Sequence, residues 1–321
     1  MKRRTTAVLG AGAVLDCDFG GQPKPTTQNI TDAVVEQKIH GYDEIDTDLI
    51  KRVYKLIVDA SRSEYLQLHY DTTIETSLGD YVDGYIGFTQ DYKRFEPEVL
   101  WNASEDKATV NHLHGCILYG DTNPQPVENH YSHRDLFKFY PDVVKEAFFS
   151  GQWLPRNQVG DTIFYSPIIT GLKKTDKICF MPHSFYHANL VKKIIENPSL
   201  LICGYSFGDL YVNQLLQRHK LIHDKNERVV IVDMWKDYAN EDSVKLYRYF
   251  VDHTSGWLKE YVERIIESGI APLETFKQFE QVSDGCWQSP NGVLRLYTKG
   301  FKSAVENHRE EIMEFLQEGE S

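Results

Sequence analysis

Residues 198–216 read PSLLICGYSFGDLYVNQLL, and this stretch decides the fold. Ser199 to Cys203 is a short, nearly continuous apolar run bounded by Pro198 and Gly204. Such a run predicts a strand covered on both faces, as parallel sheets require. Glycine, tyrosine and serine follow, and helical spacing starts at Asp209 and runs to about Ile222. Working outward, Arg228 to Asp233 (RVVIVD) is a second buried strand. Thr5 to Leu9 is a third, and it runs into Gly10-Ala11-Gly12. Residues 29–37, 46–60 and 186–196 have helical spacing, while 64–68 and 109–113 read as strands and 164–169 as a strand or a loop. After Asp233 the text is mostly helical, with a late strand at Val293 to Tyr297. Strands rich in Val, Ile and Leu that alternate with helices predict an α/β, Rossmann-like, mostly parallel sheet flanked by helices. Helical insertions and a helical C-terminal extension over about 241–321 complete the expected single domain, 1–321, whose core spans about 5–240.

Composition narrows the class. The 321 residues carry a net charge of -12 and 41% hydrophobic residues, the balance of an acidic globular protein. That charge argues against a broad nucleic-acid or anionic-membrane face. Cys17, Cys116, Cys179, Cys203 and Cys286 are scattered and form no CxxC pair. A cysteine-built zinc module is therefore not expected, and a reducing cytoplasm is. The basic N-terminus with its short apolar run is read as a first strand rather than a signal peptide, because glycines and then Asp16 and Asp18 interrupt it. No apolar run approaches the roughly 18 residues that a membrane span needs.

Four places could carry chemistry. Glycines directly after the first strand let a backbone approach a phosphate, but Leu15 stands where a full GxGxxG would place its third glycine. A nucleotide loop and a plain tight turn both fit. In NHLHGCILYG, residues 111–120, a strand would put His112 and His114 on one face. That spacing suits a metal with His69 as third ligand, a catalytic imidazole, or one buried and one exposed ring. Gly204-Tyr205-Ser206 precedes a helix whose first amides suit ribose or phosphate oxygens. The same GYSFG text resembles a hydrolase nucleophile elbow, with Asp233 and His253 or His308 to complete a triad. In that reading's plain alternative Ser206 only caps the helix. Asp233, at a strand end, suits ribose hydroxyls or an ordinary turn.

Taken in order, these blocks resemble the sirtuin-like family, and within it the bacterial defence-associated NAD hydrolases. GAG at 10–12 is followed by Tyr70, Asp71 and Glu75, then HLHG at 112–115, then SPIITGLKKTDKI at 166–178, then LICGYSFGDLYVN at 201–213. The resemblance covers roughly residues 5–240. TQNI at 27–30 is like a motif of deacetylating sirtuins, but it lies only about 15 residues past Gly12, whereas the family carries that motif on a later strand. It suits the start of a first helix. The positional counterpart is LHYD, residues 68–71, where the family text is close to L-N-Y-D, so His69 replaces an asparagine.

The resemblance implies NAD as the substrate, no metal, and release of nicotinamide and ADP-ribose. It gives His114 the role of positioning or deprotonating water or a ribose hydroxyl, and puts His69 beside it as an impairing departure. Gly10, Ala11 and Gly12 would face the pyrophosphate, Asp71 the nicotinamide-side ribose, and Gly204, Ser206 and Asp233 the adenosine end. Asp209 and Asn213 would orient the helix start. An activating partner is implied as well, such as a HerA-type translocase ATPase or a prokaryotic Argonaute, or else self-assembly through helices between Ser255 and Glu318. The alternative is a non-catalytic NAD-binding or assembly subunit.

Overall fold

The computed structural model describes residues 5–10, 75, 78, 80–104, 107–116, 118–120, 136–140, 152–156, 162–165, 169, 178–235, 237–266 and 272–318. In chain order the elements are β1 (Thr5–Leu9), β2 (Tyr81–Val82), β3 (Tyr85–Gly87), β4 (Tyr92–Phe95), α1 (Pro97–Trp101), β5 (Ala108–Thr109), β6 (Tyr119–Gly120), β7 (Phe137–Phe139), β8 (Gln152–Arg156) and β9 (Thr162–Tyr165). There follow α2 (His183–Glu196), β10 (Ser199–Cys203), α3 (Leu210–His223), β11 (Arg228–Val232), α4 (Ser243–His253), α5 (Gly256–Ile266) and α6 (Pro272–Phe276). The chain closes with β12 (Glu280–Ser283), β13 (Cys286–Gln288), β14 (Leu294–Tyr297) and α7 (Gly300–Gln317). The helices expected over 29–37 and 46–60 and the strand over 64–68 lie outside the described residues. Two compact units form: Met1–Gly21 with Val191–Ser321, and Gln22–Leu190.

The first unit holds a six-stranded sheet in the order β1-β10-β11-β14-β13-β12. Its first three pairings are parallel and its last two antiparallel. Helices flank it, so the expected parallel-dominated α/β architecture is present. The central strands explain the apolar runs: Leu200, Ile202 and Cys203 of β10 and Val229 to Val232 of β11 are all buried. Burying one such side chain fully contributes about 1.5–3 kcal/mol. α7 closes over this layer, with Ala304, Ile312, Phe315 and Leu316 packed in one cluster with Cys203, Val230, Val232 and Tyr297.

Two differences from the sequence reading concern the C-terminal region. The late strand is there as β14, and within a region expected to be mostly helical it belongs to the main sheet, directly beside β11. Before it, β12 and β13 pair through a turn at Gly285, whose φ is +73°. Their text hides them. β12 is a mostly exposed EQVS edge without apolar alternation, and β13 is three residues long. Likewise the strand expected over 109–113 is only β5, ending at Thr109. Among the described residues no helix is long and apolar enough to cross a membrane.

At the opposite end of the sheet from the strand-end glycines, buried polar groups tie four segments together. Asn197 Nδ2 donates to Thr6 Oγ1 at 3.0 Å, and Asn197 O accepts from His219 Nε2 at 2.9 Å. His219 Nδ1 lies 2.7 Å from Glu227 Oε1, and both side chains are fully buried. Because Nε2 must donate to the carbonyl, a proton lies between Nδ1 and Oε1 whichever atom carries it.

The second unit is built of short strands: a parallel pair β2-β5, an antiparallel sheet β3-β4-β7-β6, and a hairpin β8-β9. The segment 164–169 thus starts as strand β9. Among its described residues, aromatic rings pack beside buried aliphatic ones such as Leu100 and Leu136. Tyr85 packs against Phe95 and Tyr119, and Phe95 against Tyr186.

Removing one partner of a buried pair strands the other. Glu227→Ala is therefore expected to lower stability by about 3–5 kcal/mol in urea unfolding. A loss below about 0.5 kcal/mol, the size of an ordinary surface substitution, would show that the pair does not hold the sheet's lower end.

Candidate functional site

In the first unit the parallel register aligns Leu9, Cys203, Val232 and Tyr297. The residues that follow, Gly10, Gly204, Asp233 and Thr298, therefore line the carboxyl edge of the sheet, where α/β sheets bind ligands. Backbone bonds close the row: Gly10 N–H donates to Cys203 O at 2.7 Å, Gly204 N–H to Val232 O at 2.9 Å and Asp233 N–H to Tyr297 O at 3.0 Å. A Cβ on Gly10 would lie 2.1 Å from Gly204 O and 2.4 Å from Tyr205 Cα. Gly10 is thus glycine because two backbones meet there, and the space its missing side chain leaves is filled by protein rather than open to a phosphate. Ala11 and Gly12 lie outside the described residues.

The turn from β10 into α3 is equally specified. Gly204 and Phe207 have φ values of +53° and +55°. Phe207, a residue ill suited to that conformation, is held by burial and by Asn213 Nδ2 donating to its carbonyl at 2.8 Å. Asp209 caps α3, its carboxylate accepting from Tyr211 N–H at 2.9 Å and Val212 N–H at 3.2 Å. Two of the first amides that would suit an anion are therefore already taken. Asn213 also receives the Tyr205 hydroxyl at 2.8 Å. Asp209 and Asn213 orient the helix start, as expected.

Ser206 is exposed at this turn. The half-buried Asp233 carboxyl is pushed upward by burial, against the pull of its bonds from Met234 N–H and Trp235 Nε1. Each oxygen keeps a second lone pair, so ribose hydroxyls remain compatible with it. Thr298, which the sequence reading did not single out, is buried and bonded to Asn240 and Gly285. The hydrolase triad does not assemble. The left-handed residues are Gly204 and Phe207 rather than Ser206, Asp233 is bound to Trp235, and His308 lies 3.2 Å from Glu311. Among the described residues no hydrogen bond joins Ser206, Asp233 and His253 or His308.

In the second unit the HLHG text forms a turn rather than a strand, which corrects the same-face reading of its histidines. Gly115 N–H donates to His112 O at 3.0 Å, and Gly115 has φ +97°. His112 is buried, whereas His114 is half-buried. The turn is anchored on several sides. Ile169 N–H donates to His114 O at 2.7 Å, His187 Nε2 to Leu113 O at 3.2 Å, and Asn189 Nδ2 to Asn111 Oδ1 at 3.0 Å. His69 and Asp71 lie outside the described residues.

Beneath the turn is a buried charge network that sequence reasoning missed. His112 Nε2 lies 2.7 Å from Glu75 Oε1, and Lys138 Nζ donates to the same oxygen at 3.2 Å and to Asp83 Oδ2 at 2.6 Å. Tyr85 N–H donates to Asp83 Oδ1, and the Tyr186 hydroxyl to Asp83 O. Burial alone would raise the Glu75 carboxyl. The His112 hydrogen bond and charge, with Lys138, overcome this and hold it at about 2. Burial would lower Lys138, but Asp83 above all, with Cys116 and Glu75, raises it above the usual ammonium range. Glu75, His112 and Cys116 also bring ligand-type atoms within 4.8 Å of one another. The Lys138 ammonium beside Glu75 supplies positive charge there, so a metal is poorly matched to this cluster. Glu75 stood in the quoted motif without a role, and Lys138 lay in an aromatic stretch with no signal. Burial drives His183 down to about 3, and neighbouring His187 and His114 push the same way.

Two outcomes follow. Gly10→Ala is expected to destabilise the chain by about 1–3 kcal/mol in thermal melts, since backbone has to move. An unchanged melt would remove the close approach. The second concerns pH. Between 6.5 and about 3 the unfolded chain binds a proton at His183 that the folded chain excludes, so stability falls as pH drops through this window. His183→Phe should make that slope shallower by up to about 1.4 kcal/mol per pH unit, read by urea unfolding at stepped pH. An unaltered slope would count against a buried neutral ring.

A family model described as a SIR2-like domain matches residues 63–252, more than half of the chain. The matched range contains His69, Asp71, Glu75, the 112–115 turn, the 204–209 turn and Asp233, while the Gly10–Gly12 loop precedes it. No curated protein matches the chain.

Proposed function

The chain belongs to the SIR2-like family, and we propose that it hydrolyses NAD+ to nicotinamide and ADP-ribose, acting in bacterial anti-phage defence by depleting NAD. The observation that carries this reading is the anchored turn that presents a half-buried His114 within the matched residues. The glycosidic bond would break through an oxocarbenium-like state, as in sugar hydrolysis. Nicotinamide leaves as a neutral molecule, so no general acid is needed. What the reaction needs is a group that orients or deprotonates water or a ribose hydroxyl, and an imidazole, which can accept or donate a hydrogen bond, suits that role. Ser206 and Asp233 would hold ribose hydroxyls at the adenosine end. Asp71 would support the nicotinamide-side ribose, and Ala11 and Gly12 would approach the pyrophosphate. Gly10 and Gly204 would shape the backbone there.

His69 stands where an asparagine would offer both a donor and an acceptor, and its ring is bulkier. This substitution favours a second reading, an NAD-binding or assembly subunit without turnover. In either reading a cytoplasmic partner, such as a HerA-type ATPase, or self-assembly would control the chain.

The test follows nicotinamide release by chromatography from the unmodified chain, from His69→Asn, and from His69→Asn with His114→Ala. Turnover is expected to be weak or absent in the first, restored in the second and lost in the third. A general acid or base contributes about 10²–10⁴-fold, which sets the size of the His114 effect. Hydrolysis that persists after His114→Ala would remove His114 from the reaction. NAD binding without turnover in His69→Asn, with candidate partners present, would select the second reading.

A further inference from the structure

Glu75, His112, Lys138 and Asp83 have no role in the reaction as described, yet all four are buried and mutually bonded beneath the turn that carries His114. We infer that Glu75 and His112 are positioning residues for His114, with Lys138 and Asp83 keeping Glu75 a carboxylate; this deepens the role given to His114 above and rests on it.

The geometry supplies the argument. His112 is the first residue of the turn and His114 the third, and the turn closes through Gly115 N–H to His112 O. A displacement of His112 therefore carries with it the backbone that aims His114. The Glu75 carboxylate holds the ring in place, accepting from Nε2 at 2.7 Å. A lone buried carboxylate would take up a proton and lose its hold on that N–H. The His112 hydrogen bond and charge, with Lys138, prevent this. The Lys138 ammonium bridges Glu75 and Asp83, and Asp83 is fixed in turn by Tyr85 N–H at 3.0 Å. The motif glutamate thus acts on the site from behind, through the first histidine of HLHG. An apolar core would fill the same space at least as stably, so a purely structural role does not account for four buried charged or polar groups in one chain of bonds.

The experiment reads His114 directly, by histidine-selective 15N NMR on the full chain. In the unmodified protein the His112 Nε2 proton should give a slowly exchanging downfield signal, and its absence overturns the inference without any variant. In Glu75→Gln, a near-isosteric change, the His114 ring resonances should shift. The pair Glu75→Gln with His112→Gln, which restores an amide-to-amide hydrogen bond, should return them toward their original positions. His114 signals that stay unchanged in folded Glu75→Gln, or that stay shifted in the double variant, overturn it. Nicotinamide release provides the kinetic side, read in the His69→Asn background: adding Glu75→Gln should lower kcat about tenfold or more while KM for NAD is kept, and adding His112→Gln as well should recover most of the loss. Release of no nicotinamide by any version counts against NAD hydrolysis, while the NMR result still decides the positioning role.

Discussion

No side chain fits at residue 10. The carbonyl of Gly204 lies 2.1 Å from where a Cβ would begin, so β1 and β10 can run together to their ends only because that atom is missing. The approach lets Gly10 N–H reach Cys203 O, and it carries the parallel register from Leu9 through Cys203 and Val232 to Tyr297. Everything at the carboxyl edge of the first unit follows from that register. Gly204 opens the turn, Asp209 caps the helix that the turn feeds, and Asp233 ends the neighbouring strand. A glycine that looks like part of a phosphate loop is thus accounted for by strand packing.

The second unit solves a different problem. Its described strands are two to five residues long, most of them two to four, and its described core combines packed rings with a buried charge network. Networks of this kind contribute little to stability compared with apolar packing, but their directional bonds permit few alternative arrangements. The turn at 112–115 is held from three directions: Glu75 through His112, His187 through Leu113, and Ile169 through His114. An imidazole that must act on one bond benefits from that kind of restraint.

Some of this was legible in the residues. The run 199–203, the cap at Asp209 and the run 228–233 give β10, α3 and β11 almost to the residue, because each has a local cause: continuous burial, a side chain that satisfies helix amides, and bounding turn residues. His114 was legible as a site candidate from the glycine after it. The strand around it was not real, since Gly115 closes a turn on His112 and that depends on a backbone bond, not on periodicity. β12 and β13 were illegible because an exposed polar edge and a three-residue strand carry no hydrophobic pattern.

By itself, then, the sequence determined the alternation of buried strands and helices, the strand–turn–helix at 199–223, and the order of blocks that marks a SIR2-like chain. These are encoded in contiguous residues, where spacing and side-chain type act locally. Only the tertiary structure decided that β14 lies next to β11, that Gly10 meets Gly204, and that Glu75, Asp83, His112 and Lys138 share one buried network. Gly10 and Gly204 are 194 residues apart and Glu75 and Lys138 are 63 apart, and no local pattern records which distant groups must meet or neutralise one another.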